Sequence, residues 1–301
     1  MFLFRKIQLF HPRQAPQPQL QEFYFCRIFP GDDPAMSFAR HVHYLSAKLR
    51  LKPGLEILHI GCGIGSASRE LVHFANVEVV GVDTCPSKVG PYILDTEDGH
   101  TSHTGQIAYA QTLAENSKLS DRLQFIHVQC YENLESVLQG RQFDAVIALE
   151  SLKATLDSTS VFNSVFPILK EGGKIGIFEW CWSSSFNPKD SDHRRLANAI
   201  EVATKIGERD PKSRCQSTTL QAIANSGLNM VEWEDLSQRD DPIAWYTPLQ
   251  RALGDSNMEW PDSSELAPLF GGISKAAASL IVEAAKLKLF SPMTLFVARK
   301  G

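Results

Sequence analysis

Ile57 to Glu70 reads ILHIGCGIGSASRE, an apolar run followed by glycines at 61, 63 and 65 and then a helix-forming segment. Physically this is a buried strand, a tight turn whose glycines let backbone N–H groups approach a ligand, and a helix N-terminus pointing at that ligand. The turn alone is weak evidence, because many strand-to-helix turns use glycine for packing. What strengthens it is VEVVGVD, residues 77–83, a second apolar run. It ends in Asp83 about twenty residues after the turn, where a ribose hydroxyl is expected to sit. Together the two runs point to a nucleoside-type cofactor site.

Working outward, strand-like runs are predicted at Leu55–Ile60, Val77–Val82, Leu123–Val128, Asp144–Leu149 and Lys174–Trp180. Helices are predicted at Pro34–Leu51, Ser66–Ala75, Gln106–Asn116 and Ser158–Lys170, with Pro53-Gly54 stopping the first. Continuous apolar strands alternating with helices imply a parallel sheet covered on both faces. A ligand then lies at the carboxyl ends of the strands, where the glycine turn, Asp83, the residues after Val128, Glu150 and Glu179 converge. Past Trp180 the pattern loosens. Helices are expected at Asp192–Ile206, Thr218–Ser226 and Lys275–Lys286, and strands at 228–233 and in MTLFVAR, a late pair compatible with an antiparallel edge. Segments 181–215 and 234–274 read as cap material over the strand ends, residues 1–22 as a flexible arm with a Gln/Pro stretch, and Pro86–Gly105 as a surface loop beside the cofactor.

Composition narrows the function classes. Thirty Lys plus Arg against 34 Asp plus Glu leave no basic surplus for phosphate contacts, so nucleic acid is not an expected partner. Six scattered cysteines with no CxxC pair and no metal-ligand spacing read as free thiols in a reducing compartment, the cytoplasm, with no metal. Arg5 and Lys6 interrupt the N-terminal apolar run before signal-peptide length. No stretch approaches the roughly 18 apolar residues of a spanning helix.

The same residues, from about Phe23 to Gly301, resemble the sterol C-methyltransferases, S-adenosylmethionine (SAM) enzymes of class I fold. SFARHVHYL (37–45) is similar to the helix before the family's first strand, GCGIGSASRE to its SAM loop, and LSDRLQFI to its third strand. FDAVIALES precedes the position of its EATCHA motif, and LKEGGKIGIFEWCW is similar to its LKPGG...YEW segment. DSDHRRL, DDPIAWYTPL and KLFSPMTLFVARK resemble its PEHR, IPWYxPL and C-terminal segments. The resemblance implies a Rossmann-like α/β fold: a seven-stranded, mostly parallel sheet with helices on both faces and a helical cap. It implies SAM as cofactor, a hydrophobic small-molecule substrate, and cofactor contacts from His59, Gly61, Cys62, Gly63, Gly65, Asp83, Cys130 and Glu150. A homodimer stays open.

The departures carry equal weight. QAPQPQLQE stands where the family has its YEYGWG-type signature. His59 and Cys130 replace acids, Lys153 and Ala154 replace the Cys-His after Glu150, and Ala203-Thr204-Lys205 replace a Gly-Asp-Gly. A kept SAM loop beside altered substrate-side residues matches certain fungal natural-product members of the family that act as SAM-dependent pericyclases, closing a pyridone- or tetramate-linked polyene by intramolecular Diels-Alder reaction. Such a reaction needs a shaped apolar cavity and a cation or hydrogen-bond donor on the activating carbonyl. Lys153 and His193 are the expected donors, with Glu150, Glu179 and Tyr246 as further catalytic candidates. The main expectation is therefore pericyclisation in secondary metabolism. The alternative is C-methylation of a sterol-like, terpenoid or polyketide alkene, and a minor one is a non-catalytic SAM-fold partner. Each candidate has a plainer role beside it: His59 bonding its neighbours, Cys130 filling space, Lys153 and His193 as helix-end surface groups, and Glu179 with Trp180 or Tyr246 as packing.

Overall fold

The structure, a computed structural model, describes residues 24–84, 105–154, 158–204, 211–255 and 273–301. The N-terminal arm, Cys85, the Pro86–Gly105 loop up to residue 104, and parts of both cap segments lie outside the described residues. Seven strands form one sheet: β1 (Glu56–Ile60), β2 (Glu78–Asp83), β3 (Leu123–His127), β4 (Phe143–Leu149), β5 (Leu169–Trp182), β6 (Asn229–Asp235) and β7 (Phe290–Arg299). Their order is β3-β2-β1-β4-β5-β7-β6. β1 to β5 run parallel, and β7 pairs antiparallel with both β5 and β6. This is the expected class I methyltransferase sheet.

The late strand pair takes a particular arrangement. β7 lies inside the sheet and β6 forms the edge. Burial accords with this: FSPMTLFVAR is buried at every position but the last, as an inner strand covered on both faces is, whereas β6 alternates between exposed and half-buried. β5 begins five residues earlier than expected. Leu169 already pairs with Phe143, and a register shift follows before Ala145 meets Lys174. Pro167, near the end of the preceding helix, has no N–H to continue it, so that helix stops at Ile168.

Helices cover both faces. On one lie α1 (Pro34–Leu49), α2 (Ser66–Ala75), α3 (Gln106–Asn116), α6 (Ser191–Thr204), α8 (Thr247–Gly254) and α9 (Lys275–Lys286). They enclose a core through Val42, Leu71, Ala110, Leu196, Leu249 and Ile281. On the other lie α4 (Leu134–Val137), α5 (Ser158–Ile168) and α7 (Gln216–Asn225), packed through Leu134, Phe162 and Ile223. α1 starts where Asp33 accepts a hydrogen bond from the Met36 N–H and stops where Arg50 turns left-handed, two residues before the predicted end. α6 and α8 both pack on α9, so segments distant in sequence gather on one side of the sheet. Among the described residues no helix is long and apolar enough to cross a membrane, and no group of His, Cys, Asp and Glu is placed to hold a metal. The strand order reverses direction at β1, with β2 on one side and β4 on the other, and the crevice beyond their carboxyl ends is the switch point where such sheets bind ligands.

Candidate active site

At that switch point the chain leaves β1 through the glycine turn. Gly61, Gly63 and Gly65 have φ of 67°, 54° and 79°. The Gly61 and Cys62 N–H groups both donate to the Val82 carbonyl, at 2.8 and 3.1 Å. A Cβ on Gly61 would stand 2.1 Å from Ser151 Cβ, and one on Gly65 2.5 Å from the Phe125 ring, so the cradle admits no side chain. Asp83, buried at the end of β2, accepts a hydrogen bond from the Gly63 N–H at 2.9 Å. A glycine turn closely packed against Ser151 and Phe125 and followed by α2, with a carboxylate at the next strand end, fits an adenosyl cofactor. Gly61 to Gly65 and Asp83 are the residues that would hold it.

Other expected cofactor residues have different surroundings. His59 is fully buried within β1, its Nδ1 2.8 Å from the Ser68 hydroxyl of α2, and burial pushes its pKa down to about 3. The ring is thus neutral and tied between strand and helix. Cys62 is buried, with its thiol directed at the Gly63 carbonyl. Cys130 is half-buried, its Sγ 3.8 Å from Asn133 Nδ2.

Beyond β4 and β5 lies a second cluster. Glu150 takes φ 52°, a left-handed conformation costing a non-glycine residue about 1–2 kcal/mol, and its N–H donates to the Phe178 carbonyl at 2.7 Å. This turn brings the carboxylate inward. Oε1 accepts from the Phe25 N–H and Oε2 from the Trp180 indole N–H, both at 2.7 Å, with Lys153 Nζ 3.5 Å from Oε2. Glu179 accepts from the Leu152 N–H at 2.8 Å and the Trp180 N–H at 2.9 Å. Burial raises the pKa of both carboxyls, Glu179 to about 7, against the pull of Lys153 and the N–H donors. The Lys153 ammonium also stands 4.1 Å from the centre of the Trp180 ring.

Aromatic rings enclose these groups. Phe25 meets Trp180 and Trp245 edge-on at 5.7 and 5.2 Å, Trp180 meets Phe290 at 5.4 Å, and the half-buried Tyr246 meets Trp245 at 5.6 Å. The segment bearing Phe25 is strapped down by an Ile28–Ile243 bridge and by Arg27, whose guanidinium grips both oxygens of Asp241. His193 sits apart, at the start of α6. Its Nδ1 accepts from the Asn187 N–H and its ring stacks on Phe186, so the rings of Phe186, Trp182 and Phe290 link it to Trp180. The structure therefore gathers Glu150, Lys153 and Glu179, places Tyr246 at the rim of the cluster, and leaves His193 on the cap.

Three further residues belong to this picture. Tyr131 is buried near Asp83 and hydrogen-bonded to Thr84, and its hydroxyl is 3.4 Å from where a Cβ on Gly61 would stand. Burial and the Asp83 charge push that hydroxyl's pKa well up. Phe25 contributes a backbone N–H, which no side-chain pattern announces. Arg214, from the cap, donates to the Lys153 carbonyl and to Glu201.

Residues 33–232 match the family described as methyltransferase domain, and residues 273–301 match the sterol methyltransferase C-terminal family. The sterol 24-C-methyltransferase erg6 of Aspergillus fumigatus is 30% identical over 92% of this chain and 74% of its own length. The chain belongs to the sterol methyltransferase family. Its cofactor is S-adenosylmethionine, and it is an enzyme of the SAM-dependent methyltransferase type. Two solved structures show how widely the sterol methyltransferase fold is shared. Geranyl diphosphate C-methyltransferase from Streptomyces coelicolor, in complex with S-adenosyl-L-homocysteine, superposes with a TM-score of 0.66 at 14% identity, over 94% of this chain and 95% of that one. The [4+2]-cyclase SpnF gives 0.61 at 18% identity, over 93% and 88%. The fold serves both chemistries, so it does not choose between them.

Proposed function

We propose that this sterol methyltransferase family member transfers the SAM methyl group to an alkene carbon of an extended apolar substrate, of sterol-like, terpenoid or polyketide type. The observation that carries this reading is the pair of buried carboxylates, Glu150 just past the end of β4 and Glu179 in the adjacent β5, both hydrogen-bonded to Trp180. The named activity of the Aspergillus relative supports it.

Bound SAM supplies an electrophilic methyl group. The residues of the chain supply the rest. As the alkene electron pair forms the new carbon–carbon bond, positive charge develops on the neighbouring carbon. The Trp180 face and the two carboxylates stabilise it, and the surrounding rings exclude water. A C–H electron pair then restores a double bond, and the proton goes to a carboxylate oxygen of Glu179, whose pKa of about 7 suits a base working near neutrality. Glu150, held by Phe25, Trp180 and Lys153, is the fixed partner that orients the indole.

Pericyclisation is the second reading, and one observation favours it: Lys153 already stands over the Trp180 ring, where its ammonium could polarise a substrate carbonyl. Incubation with SAM and a polyene or sterol-like alkene separates the two. S-adenosylhomocysteine together with a product heavier by one methylene is the expected result. An isomer of unchanged mass, with SAM unconsumed, would establish pericyclisation instead.

A further inference from the structure

Lys153 sits in a short 3-10 turn, Leu152–Ala154, that is pinned from two sides. On one, the Leu152 N–H donates to Glu179 at 2.8 Å. On the other, the Lys153 carbonyl accepts a hydrogen bond from Arg214 Nη1. Arg214 is itself anchored, its Nε donating to Glu201 Oε1 at 3.0 Å, and the two side chains are only 6% and 2% exposed. They come from the 211–214 turn and from α6, distant in sequence from the turn they hold.

Stability alone is a poor reason for this arrangement. Withdrawing an ion pair from water costs about as much as the pair returns, and well-packed apolar residues often do as well. Placement is a better reason. A lysine side chain gives up much rotamer entropy when held still, and the 3.5 Å contact from Lys153 to Glu150 is loose. The reach of the ammonium to both Glu150 and the Trp180 ring therefore depends on where its backbone is held. We propose that Arg214 is a positioning residue: anchored on Glu201, its guanidinium fixes the Lys153 carbonyl and so holds the Lys153 ammonium between Glu150 and the Trp180 ring. Only the kinetic consequence of this rests on the methyl-transfer reading.

The test uses the full chain labelled with [13Cε]lysine, with the Lys153 signal assigned by its loss in Lys153→Arg. Lying over the indole, the Lys153 ε-methylene should resonate upfield of the other lysines. In Arg214→Gln and in Glu201→Gln that signal should move back among the others while the remaining lysines stay in place, and Arg214→Lys should restore part of the shift. Arg214→Gln should lower kcat on the order of 10–100-fold, as small misplacements do, with Kd for SAM unchanged. In a Lys153→Ala background it should lower kcat no further, because the group it positions is gone. Glu201→Gln keeps the test usable if Arg214→Gln fails to fold. A wild-type Lys153 signal with no upfield shift, or a shift unchanged in both variants, would overturn the proposal. Loss of the shift in a chain that transfers no methyl group would uphold it and sink the reaction reading instead.

Discussion

Replacing Glu179 with glutamine tests the buried base through stability before any substrate is known. Burial raises the carboxyl from 4.5 to about 7, with the Trp180 and Leu152 N–H groups, Lys153 and Arg214 pulling it down. A carboxyl that binds its proton more tightly in the folded chain contributes stability that is complete below the unfolded value and is lost as pH rises through about 7. At about 1.4 kcal/mol per pH unit, that interval is worth about 3 kcal/mol. Glutamine does not titrate there. It also keeps only one of the two oxygens that now accept from Leu152 and Trp180, a loss of about 1–3 kcal/mol at every pH. Urea unfolding of both proteins should therefore show the variant less stable at about pH 4.5, with the difference moving by about 3 kcal/mol in the variant's favour, enough to erase or reverse the deficit, by about pH 8. Glu150 titrates in both proteins and largely cancels in the difference. In turnover, wild-type kcat should rise through a pKa near 7, and the variant should lose that limb along with about 10²–10⁴ in rate. A stability deficit that stays constant across this range would refute the claim that burial raises the Glu179 carboxyl to about 7.

Other changes probe the neighbouring parts. Lys153→Ala should slow turnover while leaving calorimetric SAM affinity nearly intact, and equal loss of both would mean that Lys153 shapes the cofactor site. Gly61→Ala places a Cβ 2.1 Å from Ser151 at φ 67°, so SAM binding should collapse and the melting temperature drop, the left-handed strain alone costing about 1–2 kcal/mol. Normal SAM affinity in that variant would remove the turn from the site. Arg27→Gln releases the bidentate grip on Asp241, and hydrogen exchange at the Phe25 amide should accelerate while the amides of β1 stay protected. No change at Phe25 would show that the strap is held by other contacts.

Much of the fold was readable in order along the chain. α2, α3 and α9 fall at their predicted ends because each is an amphipathic run bounded by a clear stop, and β1, β2 and β4 are apolar runs too continuous for anything but a doubly covered sheet. The elements that escaped are short. α4 has four residues and α8 eight, too few for a helical period to stand out. At the site, the glycine turn and Asp83 were readable because close backbone approach demands particular residues. His59 and His193 drew notice as chemically capable types, but capability says nothing of surroundings: one is tied to Ser68 and the other stands on the cap. Arg214 and the Phe25 N–H went unnoticed because nothing near either in sequence refers to Glu150 or Lys153.

The sequence by itself determined the sheet, its helical cover and the glycine turn after β1, since those depend on local periodicity, on turns only glycine can make, and on motifs contiguous in the chain. Only the tertiary structure decided that the buried Glu150, Glu179, Trp180, Phe25 and Arg214 and the half-buried Lys153 form one cluster. Their acidity and reach come from desolvation and from contacts across as many as 125 positions of sequence, and neither is a property of any stretch taken alone.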